Sequence, residues 1–299
     1  MSTQPILSNP PPSTRKKITL NTLRQKKAHK EAISMLTAYD FFTAQAVDQA
    51  GIDIILVGDS LGMVVLGYAN TLPVTMEDML HHAKAVARSA QYALLVGDMP
   101  FLSYQVSISE AVRNAGRFLQ EAGMDAVKLE GGQERLDAVR AITQAGIPVM
   151  GHLGLTPQRV HQLGGFRPQA RQSGPAQRLF EDALALQEAG CFSLVLESIP
   201  AQLAGIVSQK LEIPPIGIGA GPACDGQVLV IHDLLGLFDR FTPRFAKQYA
   251  RLYETMQQAI QSYKDEVDQG IFPAKEHSIE MEEAEWQALL NKLEPDQHA

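Results

Sequence analysis

Glu121-Ala122-Gly123-Met124-Asp125-Ala126-Val127-Lys128-Leu129-Glu130-Gly131 is the stretch whose reading decides the fold. Its first half closes a helix on a glycine suited to the left-handed conformation, and its second half is a short apolar run that ends in charge. The opening phrase returns as Gln49-Ala50-Gly51-Ile52, Gln144-Ala145-Gly146-Ile147 and Glu188-Ala189-Gly190-Cys191, each time ahead of another apolar run. The runs are Ile33 to Asp40, Asp53 to Asp59, Ala93 to Pro100, Ala126 to Gly131, Pro148 to Leu155, Ser193 to Ser198, Pro215 to Gly221 and Leu229 to Asp233. Helical patterns separate them. Such runs read as parallel strands buried on both faces, and strand–helix–strand repetition demands right-handed crossovers. Eight units favour closure into a (β/α)8 TIM barrel. An open doubly wound sheet would want a glycine-rich turn after the first strand, and Ala38-Tyr39-Asp40-Phe41-Phe42 has no glycine.

The 299 residues, 45% hydrophobic and 20% charged, suffice for one large domain. No stretch approaches the roughly 18 consecutive apolar residues of a membrane-spanning helix, so no membrane role is expected. Cys191 and Cys224 are too few for a disulfide scaffold. Residues 1–30 hold seven Lys or Arg and no acid, which leaves residues 31–299 with a net charge of −14. So acidic a body argues against a nucleic-acid surface on the main domain. We expect residues 1–17 to be a flexible basic leader, in which Pro10, Pro11 and Pro12 oppose a transit-peptide helix. Residues 18–278 are read as the catalytic barrel, and 279–299 as an acidic, helical C-terminal tail.

In a TIM barrel the chemistry sits at the carboxyl ends of the strands. The runs end in Asp40, Gly58-Asp59-Ser60, Asp98, Lys128-Leu129-Glu130, Gly151-His152, Glu197-Ser198 and His232-Asp233. Carboxylates gathered at one mouth repel each other, so a cation is expected among them. Oxygen donors without paired cysteines or HxxxH spacing favour Mg²⁺ over zinc. Asp59, Asp98 and Glu130, from three consecutive strands, are the candidate ligands. Lys128 fits either a Schiff-base nucleophile or a partner for a substrate's charge, and His152 either a site residue or a core histidine. His232 and Asp233 are set aside as helix caps. Gly217-Ile218-Gly219-Ala220-Gly221 reads as a close-packed wall for a flat ligand, since no Lys or Arg follows it before Arg240.

Six phrases carry a resemblance: Thr37-Ala38-Tyr39-Asp40, Val57-Gly58-Asp59-Ser60-Leu61-Gly62-Met63, Thr71-Leu72-Pro73-Val74-Thr75, Val127-Lys128-Leu129-Glu130-Gly131-Gly132, Gly151-His152-Leu153-Gly154-Leu155-Thr156-Pro157 and Ile216-Gly217-Ile218-Gly219-Ala220-Gly221. Together, from about Ile18 to Ser278, they resemble the 3-methyl-2-oxobutanoate (ketopantoate) hydroxymethyltransferase family. The resemblance implies a barrel of the phosphoenolpyruvate/isocitrate lyase-like superfamily, cytoplasmic and self-associating as a homodecamer. It implies transfer of a hydroxymethyl group from 5,10-methylenetetrahydrofolate to 3-methyl-2-oxobutanoate, giving ketopantoate for pantothenate and coenzyme A synthesis. Carried over by position, it implies Mg²⁺ among Asp59, Asp98 and Glu130, with the two aspartates favoured as inner ligands. Asp59, Ser60, Asp98 and Lys128 would bind the oxo acid, Glu197 would accept the proton, and His152 would line the site. A Mg²⁺-dependent C–C lyase of the same superfamily is the alternative. Such lyases are expected to carry a Lys-Lys-Cys-Gly-His lid phrase, and the sequence has none.

Overall fold

In the computed structural model, which describes residues 15–238 and 243–293, seven of the apolar runs contain the strand expected of them. These are β1 Ile33–Thr37, β2 Ile54–Val57, β3 Leu94–Asp98, β4 Ala126–Glu130, β5 Val149–Gly154, β6 Ser193–Glu197 and β7 Pro215–Ile218. The last strand, β8, is Gly226–Leu229, ahead of the expected Leu229–Asp233 run, and Ile231–Leu235 is helical. The apolar signal of Leu229-Val230-Ile231 belongs to the strand end and the helix start. The strand itself opens on Gly226 and an exposed Gln227, and a Cβ at Gly226 would press on Ile33 O and the Ile216 side chain. That close approach is what closure requires, because β8 pairs with β1 from Ile33↔Gly226 to Leu36↔Leu229. The described strands form one closed parallel barrel in chain order.

Helices α1 Leu20–His29, α2 Phe41–Gln49, α3 Leu61–Val64, α4 Met76–Ala87, α5 Ile108–Gln120, α6 Leu136–Gln144, α7 Val160–Leu163, α8 Ser173–Glu188, α9 Ala201–Lys210 and α10 Ile231–Leu235 accompany the strands. Side chains alternate along each strand. Val127 and Leu129 of β4 join the larger apolar layer shared with the helices, whereas Ala126 joins Ile33, Met35, Ile54, Leu56, Leu94, Val96 and Met150 inside the barrel. Ile18 and Leu23 of the α1 segment belong to that inner cluster, so α1 plugs the end where the strands begin.

Charge fixes the plug. Lys17, Lys26 and Lys27 reach Asp125, Asp53 and Asp225 at 2.8, 2.7 and 2.6 Å, and each of these acids immediately precedes a strand. Arg15 also donates to Asp48 O and Ile52 O. The last residues assigned to a flexible leader are therefore docked; the rest of it, 1–14 with its prolines, lies outside the described residues.

The chain divides into two compact units, the barrel up to Ala250 and a second from Arg251. The boundary falls ahead of the 278/279 junction read from sequence, so α11 (Leu252–Asp268) and α12 (Glu283–Leu293) share the second unit. Tyr263, Phe272 and His277 form a small ring cluster there, with centroids 5.5 and 5.0 Å apart. Tail residues 294–299 lie outside the described residues. No described helix is long and apolar enough to cross a membrane.

Candidate active site

Strand register brings the chemistry together. It sets Asp98 opposite Lys128, Glu130 opposite His152 and Gly154 opposite Glu197. Because Lys128 and Glu130 lie two apart on β4, both project inward above Ala126. With Asp59 and Ser60, which follow β2, these side chains line a cavity of about 400 Å³ at the carboxyl ends of the strands. Its polar floor lies beneath an apolar wall that includes Met63, Leu155, Phe166 and Phe245.

The floor is a chain of close contacts. Lys128 Nζ lies 2.7 Å from Asp98 Oδ1 and 3.3 Å from His152 Nδ1. His152 bridges two glutamates, Nδ1 at 3.5 Å from Glu130 Oε1 and Nε2 at 3.2 Å from Glu197 Oε2. The Asp59 N–H donates to Asp98 Oδ2 at 3.1 Å, and the Ser60 and Tyr39 hydroxyls lie 2.8 Å apart. Burial raises the Asp59 carboxyl well above the usual carboxylate range, and the charges of Asp98 and Glu130 raise it further. Asp98 is raised by burial as well, against the pull of Lys128. Burial lowers Lys128, but the charges of Asp98, Glu130 and Asp59 outweigh it and hold the ammonium charged. His152 is depressed by burial and by Lys128, yet the neighbouring Glu130 and Glu197 carboxylates prevail and lift it to about 9.

Among the described residues, no group of three or more His, Cys, Asp or Glu side chains is arranged to hold a metal ion. Asp59 and Asp98 are neighbours, whereas Glu130 Oε2 accepts from the Gln158 N–H at 3.1 Å and Glu130 Oε1 faces His152. A hard divalent cation nevertheless fits this donor set. Asp98 Oδ1 and Glu130 Oε1 are buried carboxylate oxygens with ion-pair neighbours but no aligned hydrogen bond. Mg²⁺ is commonly held by one or two carboxylates with water or substrate completing its shell, and its charge would relieve the repulsion that raises Asp59 and Asp98.

The sequence profile of ketopantoate hydroxymethyltransferase matches residues 17–275. The chain belongs to that family. It is 59% identical over 267 residues to the 3-methyl-2-oxobutanoate hydroxymethyltransferase of Syntrophomonas wolfei subsp. wolfei, covering 89% of this chain and 97% of that protein. To the Moorella thermoacetica enzyme of the same name it is 60% identical over 265 residues, 89% and 98% of the two chains. Among solved structures, phosphonopyruvate hydrolase in complex with oxalate and Mg²⁺ superimposes with a TM-score of 0.57 at 12% identity, covering 91% and 98%. 2,3-Dimethylmalate lyase, a PEP mutase/isocitrate lyase superfamily member, gives 0.55 at 17%, covering 91% and 94%. These two share the fold.

Within this ketopantoate hydroxymethyltransferase family member, Asp59, Ser60, Asp98, Lys128, Glu130, His152 and Glu197 all line the one cavity. Asp40 does not act with them: it caps α2, accepting the Thr43 N–H at 2.9 Å. His232 and Asp233 sit in α10, and Asp233 also lines the cavity. Gly154 has a positive φ of 97°, and a Cβ there would strike the Glu197 carbonyl, so glycine lets β5 pass close beneath the base candidate. At Gly221, φ 80°, a Cβ would strike Ala201 of α9, so this glycine serves packing against a helix, and of the Gly217–Gly221 stretch read as a wall for a flat ligand Ile218 lines the cavity. The Cys191 thiol, pushed up to about 12 by burial, is no nucleophile.

Sequence reasoning missed Gln158 and Tyr104, both buried. Neither titrates near neutrality nor ends a strand. Gln158 directly follows the Gly151–Pro157 phrase, and that adjacency was its one sequence signal.

Proposed function

We propose that the chain transfers a hydroxymethyl group from 5,10-methylenetetrahydrofolate to 3-methyl-2-oxobutanoate, yielding ketopantoate. The observation that carries this is one cavity lined by a charged lysine, three carboxylates, a histidine and a separate glutamate. The C3–H of the oxo acid is too weak an acid for an unaided carboxylate, because enolate charge must be stabilised as it forms. When bound, Mg²⁺ held by Asp59 and Asp98, with Glu130 beside them, supplies that electrostatic stabilisation.

The chain's own residues do the rest. Lys128, held charged by its acid neighbours, offsets the substrate carboxylate, and Ser60 orients it through a hydroxyl steadied by Tyr39. Glu197 takes the C3 proton, its carboxylate 3.2 Å from His152 Nε2. The carbanion carbon bonds to the methylene carbon while that carbon's bonds to the two folate nitrogens break; one water supplies the hydroxyl, and its second proton and the C3 proton pass to those nitrogens as tetrahydrofolate leaves. A protonated Lys128 disfavours the Schiff-base reading. Homodecameric assembly in the cytoplasm belongs to the same proposal, and light scattering on the purified chain tests the assembly.

The deciding assay incubates the protein with oxo acid, methylenetetrahydrofolate and Mg²⁺, with and without a chelator. Chelator-sensitive ketopantoate is expected. Cleavage of a 2-methylisocitrate-like acid without ketopantoate formation would favour the lyase.

A further inference from the structure

Gln158 is the most heavily bonded side chain beside the acid cluster. Its Nε2 donates to Asp59 Oδ2 at 3.0 Å and to Met99 O at 2.9 Å. Its Oε1 accepts from the Tyr104 hydroxyl at 2.7 Å and from Gln105 Nε2 at 3.2 Å, and its backbone N–H holds Glu130 Oε2. The amide's orientation is fixed from both ends. Turned over, Oε1 would face a carboxylate and a carbonyl while the NH₂ met another amide NH₂. Tyr104 is anchored in turn, its oxygen accepting the Glu130 N–H at 3.1 Å.

We propose that Gln158 is a positioning residue of this site: it restrains one oxygen each of Asp59 and Glu130 and ties the segment after β5 to the acids contributed by β2 and β4. Asp59 and Glu130 are then each held in a single orientation, with the second oxygen of each left for the ion they would hold. The proposal rests on reading those acids as the ion-holding set. Partners that orient metal ligands from behind typically change affinity 10- to 100-fold when removed.

The test compares wild type, Gln158→Met and Tyr104→Phe, using Mn²⁺ as the probe ion. Mn²⁺ affinity is read by electron paramagnetic resonance without substrate, and deuterium exchange at C3 of the oxo acid is read without folate. Gln158→Met keeps the length and loses the amide. It is expected to weaken Mn²⁺ binding about tenfold or more and to raise the Mn²⁺ concentration that half-saturates exchange by a similar factor. Tyr104→Phe, which frees Oε1 only, is expected to shift both in the same direction by about threefold, and it answers the question if Gln158→Met does not fold. Wild-type Mn²⁺ affinity in either folded variant, with wild-type exchange, overturns the positioning role. Wild-type protein that neither binds Mn²⁺ nor exchanges C3–H would overturn the reading of the site itself.

Discussion

Ala126 lies in an apolar barrel interior with Leu94, Val96 and Met150, while two and four residues further along β4 Lys128 and Glu130 meet Asp98 and His152 in a charged one. Both layers use the same alternation of side chains, and both are almost fully buried. The lower layer lowers the free energy of the fold by removing hydrocarbon from water. The upper layer buries ions that burial itself disfavours, as the raised Asp59 and Asp98 carboxyls show. One half of the interior stabilises by burying hydrocarbon, and the other gathers like charges that a bound cation would offset.

That contrast can be broken by substitution. In the upper layer, Asp98→Ala is expected to lower turnover by about a thousandfold or more and to abolish its Mg²⁺ dependence, measured as ketopantoate formation. Near-normal, metal-responsive turnover would remove Asp98 from the ion-holding set. Glu197→Gln is expected to slow C3 deuterium exchange by about a hundred- to a thousandfold while the oxo acid still binds, as read by calorimetry. Unchanged exchange excludes it as the base.

In the lower layer the expected signs reverse. Leu94→Ala should cost about 2–5 kcal/mol in chemical denaturation and leave the kinetics of the surviving folded enzyme unchanged. Asp59→Asn should lose activity without losing stability in chelator, because it removes a repelled carboxyl and keeps an oxygen for Gln158. A large drop in melting temperature would show that the upper layer stabilises after all.

The smallest effect concerns Asp233, whose carboxyl burial raises from 3.8 to about 6. The folded state therefore binds this proton more tightly than the unfolded one, and stability falls as pH rises from about 4 through 6. Asp233→Asn should match the parent below pH 4 and melt slightly higher at pH 7.5. Equal melting at both values would show that the group is not held uncharged.

Reading the sequence located seven strands because each carries its own signal, an apolar run bounded by turn residues, which in four of the seven follows a glycine-ended helix. It misplaced β8, where Gly226 and Gln227 serve closure against β1 and look nothing like a buried strand. It assigned Arg15 and Lys17 to a leader because a basic run reads as solvated until the acids preceding the strands are seen beneath it. The seven chosen site residues share one cavity because strand ends converge in this fold whatever the loops do. Gln158 escaped because its role lies in partners and not in residue type.

Composition, the apolar alternation and the repeated turn phrase thus determined a closed parallel barrel and which of its ends bears the acids, since these are short-range properties encoded within a few residues. Register and loop docking decided which acids pair, why Lys128 keeps its proton and how Gln158 comes to hold both Asp59 and Glu130. Gln158 meets Asp59 across 99 positions of chain. Electrostatic energy depends on distances of a few ångströms between such groups, and only the folded chain sets them.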